Sequence, residues 1–209
     1  GKGISHSERF EDPAALAGGK LEMIQTWVAL PEENEEDNPS FFNYKPEQLP
    51  VYTDTGIWMR MIAGSAYGLG SEVKTHSSLF YLHVVLEQNA SLDLPGEHRE
   101  RGVYIARGAI EVAHTRYSEG QLLVFSEGAE PVLRALTPAT LMLLGGEPLG
   151  DRYIWWNFVS SRRERIEQAK EDWKQGRIIL PPNDNHEFIP LPEDRGRPAG
   201  GPPRPEPLS

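Results

Sequence analysis

The chain has 209 residues, which is more than one average domain and less than two. It contains no cysteine, and this absence excludes disulfide frameworks, thiolate zinc sites and cysteine nucleophiles. A formal net charge of -10 opposes direct binding to nucleic acid or anionic lipid, and no apolar run is long enough to span a bilayer. We therefore expect a cytoplasmic protein whose chemistry rests on His, Asp, Glu and water.

The first part of the chain predicts one strand, one loop and a linker. The run Leu21–Leu30 is apolar and aromatic and is closed by a proline, which predicts a buried strand. The segment Pro31–Pro39 carries five acidic residues without apolar periodicity, which predicts a solvated loop. The aromatic run Phe41–Tyr44 and the prolines after it indicate a linker.

Eight short apolar runs follow at spacings of about 8 to 12 residues, with Gly or Pro between most of them. This pattern is typical of an antiparallel sandwich or barrel. It predicts an all-β unit between Ile57 and Gly146. The eight runs are Ile57–Ala63, Phe80–Leu86, Ser91–Leu94, Val103–Ala106, Ile110–His114, Gln121–Phe125, Val132–Ala135 and Thr140–Leu144.

One helix is predicted after the β unit. Ser161 and Glu164 match a capping box, and Gly176 stands where a helix would end. Between these points lies an apolar stripe with helical spacing, which consists of Ile166, Ala169 and Trp173.

Two residue clusters lie at the start of this helix. The aromatic run Trp155–Phe158 predicts core packing. Three arginines between Arg162 and Arg165 predict a solvated face or a domain-contact surface rather than a nucleic-acid site, because the protein is acidic.

His6 and Glu8 are the candidate metal ligands. They stand two residues apart, so in an extended segment both side chains face the same way. An imidazole and a carboxylate suit divalent iron, manganese, nickel or zinc. The alternative is a surface His beside a surface Glu, since two donors cannot hold a catalytic metal. The other histidines are isolated in the sequence: His76, His83, His98, His114 and His186.

The predicted β unit has the outline of a cupin. Residues 97–108 resemble the first cupin motif, and residues 120–128 resemble the second. The His-x-His pair of the first motif would fall on Pro95 and Glu97, and the histidine of the second would fall near Pro131. We therefore expect a barrel without metal ligands.

Four segments together resemble the pirin family of bicupins, and the resemblance runs from Gly1 to about Glu193. They are Gly3–Glu8, Gln25–Pro31, Leu144–Leu149, and the helix with Gln168-Ala169 and Gly176-Arg177. The resemblance implies an all-β protein of jelly-roll, or double-stranded β-helix, barrels with one C-terminal helix.

The resemblance also implies a domain plan, a bicupin with an incomplete first barrel. Residues 1–50 would be the remnant of an N-terminal metal-binding cupin with the interdomain linker. Residues 51–150 would be a C-terminal cupin barrel without metal ligands, and residues 151–193 a helix-containing segment. Residues 194–209 are rich in proline and glycine, which predicts a disordered tail.

For the metal, the resemblance implies a single non-haem Fe(II) bound by a His-x-His pair, a further His and a Glu. His6 and Glu8 match the last two of these ligands, and other first-row divalent metals are alternatives. The chain contains no His-x-His pair. We therefore expect an incomplete site, and weak metal binding unless another chain completes it.

For function, the resemblance implies an oxidoreductase of the quercetin 2,3-dioxygenase type, acting on a small aromatic flavonol. Glu8 would be both a metal ligand and the catalytic base. The alternative is a non-catalytic binding or regulatory module that acts through a protein partner. Under both readings we expect no direct nucleic-acid contact and no membrane contact.

Overall fold

The computed structural model describes residues 1–8 and 22–192, which fall into two compact units. Residues 1–8, 22–41 and 149–192 belong to the first unit, and residues 42–148 belong to the second. The predicted tail 194–209 lies outside the described residues. The assignment of residues 1–50 and 51–150 to separate cupin domains stays a prediction.

The second unit forms two antiparallel sheets. The larger sheet has the strand order β1-β2-β4-β11-β6-β9, with β3 paired to β2, and the smaller has the order β5-β10-β7-β8. In chain order the strands are β1 (Val51–Asp54), β2 (Ile57–Ala66), β3 (Leu69–Gly70), β4 (Leu79–Leu86), β5 (Ser91–Asp93), β6 (Glu100–Arg107), β7 (Ala109–Val112), β8 (Thr115–Ser118), β9 (Leu122–Phe125), β10 (Val132–Ala135) and β11 (Ala139–Gly146).

One hydrophobic core joins the two sheets. In β4 every second side chain is buried, from Phe80 to Leu86, which is the pattern of a strand with one face toward a core. Full burial of such a side chain contributes about 1.5–3 kcal/mol. Both sheets supply buried side chains to this core, among them Met61, Leu82, Val103 and Leu141 from the larger sheet and Leu92, Ile110 and Leu133 from the smaller.

All eight predicted runs coincide with strands of this unit, so the all-β prediction is confirmed. The sequence did not predict β1, β3 and β8. Strand β3 has two residues, and β1 and β8 are almost wholly exposed. These three strands therefore carry no clear apolar pattern.

The first unit contains the hairpin β12 (Tyr153–Trp155) and β13 (Phe158–Ser160), followed by helix α1 (Arg163–Lys174). The predicted helix is confirmed, and its apolar stripe buries Ile166 and Ala169. Gly176 follows the last turn with a left-handed φ of 66°, and its amide donates to the Trp173 carbonyl at 3.1 Å.

The predicted capping box is wrong. The helix begins at Arg163, and no side chain caps its first turn. Ser161 instead donates its hydroxyl to Glu35 at 3.1 Å and its amide to the same carboxylate at 2.8 Å. In a capping box the Ser161 hydroxyl would accept the Glu164 amide, and the Ser161 amide would donate to the Glu164 carboxylate. Glu35 takes both donors of Ser161 instead, so neither half of the box forms.

The predicted buried strand over Leu21–Leu30 is also wrong. Leu21 lies outside the described residues, and residues 22–30 form no strand. Trp27 and Val28 are 51% and 58% exposed. A strand needs a neighbouring strand with which its backbone pairs, and no strand of the described residues pairs with this segment.

The helices of the described residues include none that is long and apolar enough to cross a membrane.

Candidate functional site

A cavity of about 990 Å³ lies in the first unit. Binding sites for small molecules occupy roughly 300–1,000 Å³, so this cavity falls at the upper end of that range. Its walls come from residues 1–8, 25–30, 156–160 and 178–189 and from one face of α1. Both predicted metal ligands, His6 and Glu8, line it.

Hydrogen bonds at Lys2 and Ser5 hold the segment that carries His6 and Glu8. The Lys2 amide donates to the Asp37 carbonyl at 2.9 Å, and the Ser5 hydroxyl donates to the Ile179 carbonyl. His6 follows Ser5 directly. The side chains of His6 and Glu8 are exposed, so both are open to a ligand that enters the cavity.

The donors at this site fit a first-row divalent metal in type and not in number. An imidazole nitrogen and a carboxylate oxygen are ligands that Fe(II), Mn(II) or Zn(II) accept. The described residues contain no group of three or more His, Asp or Glu that could hold a metal ion. The ligand roles of His6 and Glu8 therefore stay predictions.

Glu35 anchors one wall of the cavity. Its carboxylate accepts hydrogen bonds from the Ser160 hydroxyl at 2.8 Å and from the Ser161 amide at 2.8 Å. The Arg152 Nε lies 3.1 Å from Oε1, and the two side chains are only 9% and 10% exposed. The acidic segment predicted to be a solvated loop thus contains a buried ion pair.

Arg152 extends this anchor to the segment 25–30. Its Nη2 donates to the Leu30 carbonyl at 2.9 Å, and its Nη1 donates to the Leu149 carbonyl at 2.9 Å. The guanidinium therefore holds the end of a cavity wall that has no strand partner. Neither member of this pair is recognisable from the sequence, since spacing does not distinguish Glu35 from the four other acids of its segment.

The pKa of Glu35 lies below its ordinary value. Burial acts to raise this pKa, but hydrogen bonds from Ser160 and Ser161 and the positive charge of Arg152 outweigh the effect of burial. Glu35 is therefore ionised at neutral pH.

The predicted arginine surface is an ion-pair network within the first unit. Arg162 and Arg165 both place a guanidinium nitrogen 2.9 Å from Glu36 Oε1. Arg165 also donates to the Lys2 carbonyl at 3.2 Å. The guanidinium of Arg163 lies over the Tyr153 ring, 5.1 Å from its centroid.

Aromatic rings form another wall of the cavity. The rings make a chain of contacts in which neighbouring centroids lie 5.6 to 5.8 Å apart at steep angles. The chain runs through Phe158, Trp156, Trp173 and Phe188. The predicted core packing is thus wrong for Trp156 and Phe158, which are half-buried and line the cavity.

Arg101 stands inside the barrel of the second unit, seven residues before Gly108. Its side chain is 4% exposed and donates to the carbonyls of Pro95 at 3.4 Å, Ser126 at 3.4 Å and Ala129 at 2.7 Å. The guanidinium therefore joins two loops next to the positions of the missing cupin ligands, and its charge opposes a second cation there.

His98 lies close by in sequence and is also buried, at 5% exposure. Its Nε2 lies 3.0 Å from the Ser65 carbonyl, and its ring packs against Phe80 with the centroids 5.2 Å apart. A carbonyl oxygen can only accept, so Nε2 carries the proton that His98 donates to Ser65. Glu97 is occupied too, since its carboxylate accepts the Tyr67 amide at 3.1 Å.

Residues 81–179 match the family model of the pirin C-terminal cupin domain. A pirin-like protein of Caulobacter vibrioides is 52% identical over 194 residues, which cover 92% of this chain and 67% of that protein. A Pseudomonas aeruginosa protein provisionally named a quercetin 2,3-dioxygenase is 34% identical over 183 residues, which cover 85% of this chain and 64% of that protein. The chain thus spans about two thirds of the length of these curated relatives.

A solved structure gives the same fold. The crystal structure of quercetin 2,3-dioxygenase from Acinetobacter baumannii superposes with a TM-score of 0.70 at 23% identity. The superposition covers 79% of this chain and 56% of that chain. The predicted cupin fold is confirmed by this likeness and by the family match.

Proposed function

Because the chain belongs to the pirin family, we propose that it contributes to a metal-dependent oxygenase centre for planar polyphenols such as the flavonol quercetin. One observation carries the proposal. His6 and Glu8 line the same cavity as the aromatic wall, so a metal ligand pair and a surface for a flat ring share one space.

The two residues have distinct tasks in this proposal. His6 would supply an imidazole nitrogen to the metal, and Glu8 would supply a carboxylate oxygen. An iron(II) ion held there would supply open coordination positions for a substrate oxygen and for dioxygen. Glu8 also takes the proton of a phenolic hydroxyl as the general base. The remaining ligands come from outside the described residues.

Metal titration tests the ligand roles. Anaerobic titration with iron(II) is carried out with and without added imidazole, which substitutes for absent nitrogen ligands. We expect imidazole to strengthen metal binding, and we expect His6→Ala and Glu8→Gln each to weaken it about tenfold or more. The matched control is His186→Ala, which removes an exposed histidine outside the cavity wall. Equal affinity in all four proteins would contradict the ligand roles.

Oxygen consumption tests the reaction. The iron-loaded protein, with imidazole present, is mixed with quercetin in an oxygen-electrode cell. We expect quercetin-dependent oxygen uptake that His6→Ala abolishes. An iron-loaded protein that consumes no oxygen with quercetin or with related flavonols would contradict the oxygenase proposal.

The exposed segment 22–30 supports a second proposal, a binding module for a protein partner. Met23 and Trp27 are 62% and 51% exposed on a segment without strand pairing, and exposed apolar side chains of this kind are typical of docking surfaces. Under this proposal Met23→Asp releases a partner captured by the wild-type protein, while metal affinity is unchanged. A partner retained equally by both proteins would contradict it.

A further inference from the structure

The turn between β12 and β13 has an unusual backbone at Trp156. The hairpin pairs Trp155 with Phe158, so its loop consists of Trp156 and Asn157. Trp156 has a φ of 50°, in the left-handed region, where two-residue hairpin loops ordinarily place Gly, Asn or Asp. A bulky side chain in this region costs about 1–3 kcal/mol. The fold tolerates this cost at a position where glycine would relieve it.

The strained backbone delivers the indole of Trp156 to the cavity. The Trp156 ring meets Phe158 and Trp173, with centroids 5.6 and 5.7 Å away and ring planes inclined at 86° and 63°. Trp155, its neighbour in the hairpin, does not line the cavity and lies under the Lys170 ammonium, which is 4.3 Å from its centroid. The turn thus places Trp156 in the cavity wall and leaves Trp155 outside it.

Trp173 is oriented as firmly as Trp156. It projects from α1, its Nε1 donates to the Ile189 carbonyl at 2.9 Å, and its ring meets Phe188 with centroids 5.8 Å apart. These two contacts hold the Trp173 ring in place before any ligand binds. Rigid aromatic side chains bind flat rings at a low cost in conformational entropy.

We propose that Trp156 and Trp173, whose ring planes meet at 63°, form an aromatic corner in which the planar ring system of the ligand stacks on one indole and meets the other with its edge, and that this corner selects planar over puckered rings. This inference rests on the proposed function, because it assigns the substrate contact of the same cavity. It adds two specificity-determining residues that lie far in sequence from His6 and Glu8. It requires no metal, since stacking depends only on the rings.

Calorimetric titration of the metal-free protein, with a chelator present, tests the inference. The probes are quercetin, which is planar, and taxifolin, its dihydro analogue with a puckered central ring. We expect the wild-type protein to bind quercetin about tenfold more tightly than taxifolin. Trp156→Gly and Trp173→Leu should each weaken quercetin binding about tenfold and reduce the preference for the planar probe.

Two controls separate a contact from a folding defect. Trp58→Leu removes a tryptophan of the second unit, which does not line the cavity, so quercetin affinity should change less than about twofold. Trp156→Gly relieves the left-handed backbone, so its thermal unfolding midpoint should not fall even though the ring is lost. Quercetin affinity that is unchanged in both cavity variants, or equally weakened in Trp58→Leu, would overturn the inference, as would a wild-type protein that binds neither probe.

The calorimetric test and the oxygen-electrode test can contradict their two proposals independently of each other. Binding that depends on Trp156 without oxygen uptake would contradict the oxygenase proposal and leave the aromatic corner standing. Oxygen uptake with wild-type affinity in Trp156→Gly would contradict the aromatic corner alone.

Discussion

Glu35 anchors a cavity wall through contacts with residues that are distant in the sequence. Its segment holds five carboxylates, yet only this one receives three donors from the Ser160-Ser161 pair and the charge of Arg152. Those partners lie more than 100 residues away in the chain, so no local pattern joins them to Glu35. His6 and Glu8, in contrast, are two residues apart and were recognisable from the sequence as a candidate pair.

The lowered pKa of Glu35 makes the first unit sensitive to acid. The ionised carboxylate stabilises the fold above its ordinary pKa of about 4, and this contribution is lost as the pH falls toward the lower folded value. Glu35→Gln should reduce the free energy of unfolding at pH 7 by about 3 kcal/mol. Urea denaturation at pH 7 and pH 3 measures this, and the difference from wild type should shrink at pH 3. Glu33→Gln, in the exposed part of the same segment, should match wild type at both values.

Arg101 should stabilise the barrel of the second unit although no carboxylate is among its hydrogen-bond partners. Arg101→Met removes the donor for three carbonyls inside the protein and should reduce the free energy of unfolding by about 2–4 kcal/mol. The neighbouring Arg99→Met breaks an exposed ion pair with Glu127 and should change the free energy of unfolding far less than Arg101→Met does. Equal losses in the two variants, measured by urea denaturation, would show that burial of Arg101 is not the cause.

Among the elements, strands that pack into the core could be predicted and extended segments without partners could not. Strand β4 is a nearly continuous apolar run between turn residues, and the sequence shows this run directly. Residues 22–30 are also rich in apolar residues, yet they form no strand because pairing depends on a neighbour and not on composition alone. The position of the helix was also predictable, while its first turn was not, since Ser161 bonds to a residue from a distant loop.

The end of α1 depends on Gly176. An alanine there would meet no atom within 4 Å, so its only cost is the left-handed backbone at a φ of 66°. Gly176→Ala should lower the free energy of unfolding of the first unit by about 1 kcal/mol. Gly96→Ala is the matched control, because that position is equally open and has no left-handed φ. Thermal denaturation of both variants measures the difference, and an unchanged midpoint in Gly176→Ala would contradict the assignment.

For the whole molecule, the number of ligands limits metal affinity more than their identity does. Two donors hold a first-row metal weakly, so the chain alone should bind zinc with a dissociation constant above about 1 μM. Calorimetric titration of a monomeric sample measures this value. A smaller dissociation constant, measured for a monomer, would mean that residues beyond His6 and Glu8 complete a site.

The tryptophans are divided unevenly between the two units. Trp27, Trp155, Trp156 and Trp173 belong to the first unit, and Trp58 alone belongs to the second. The Trp58 ring lies 5.1 Å from the His83 ring, and burial together with the charge of Arg60 lowers the pKa of His83, so this imidazole is neutral at pH 7. Acidification places a positive charge beside that one indole. Trp58 is therefore the one tryptophan whose fluorescence reports on the second unit, and its emission responds to the protonation of His83. In Trp58→Phe, tryptophan fluorescence comes from the first unit only.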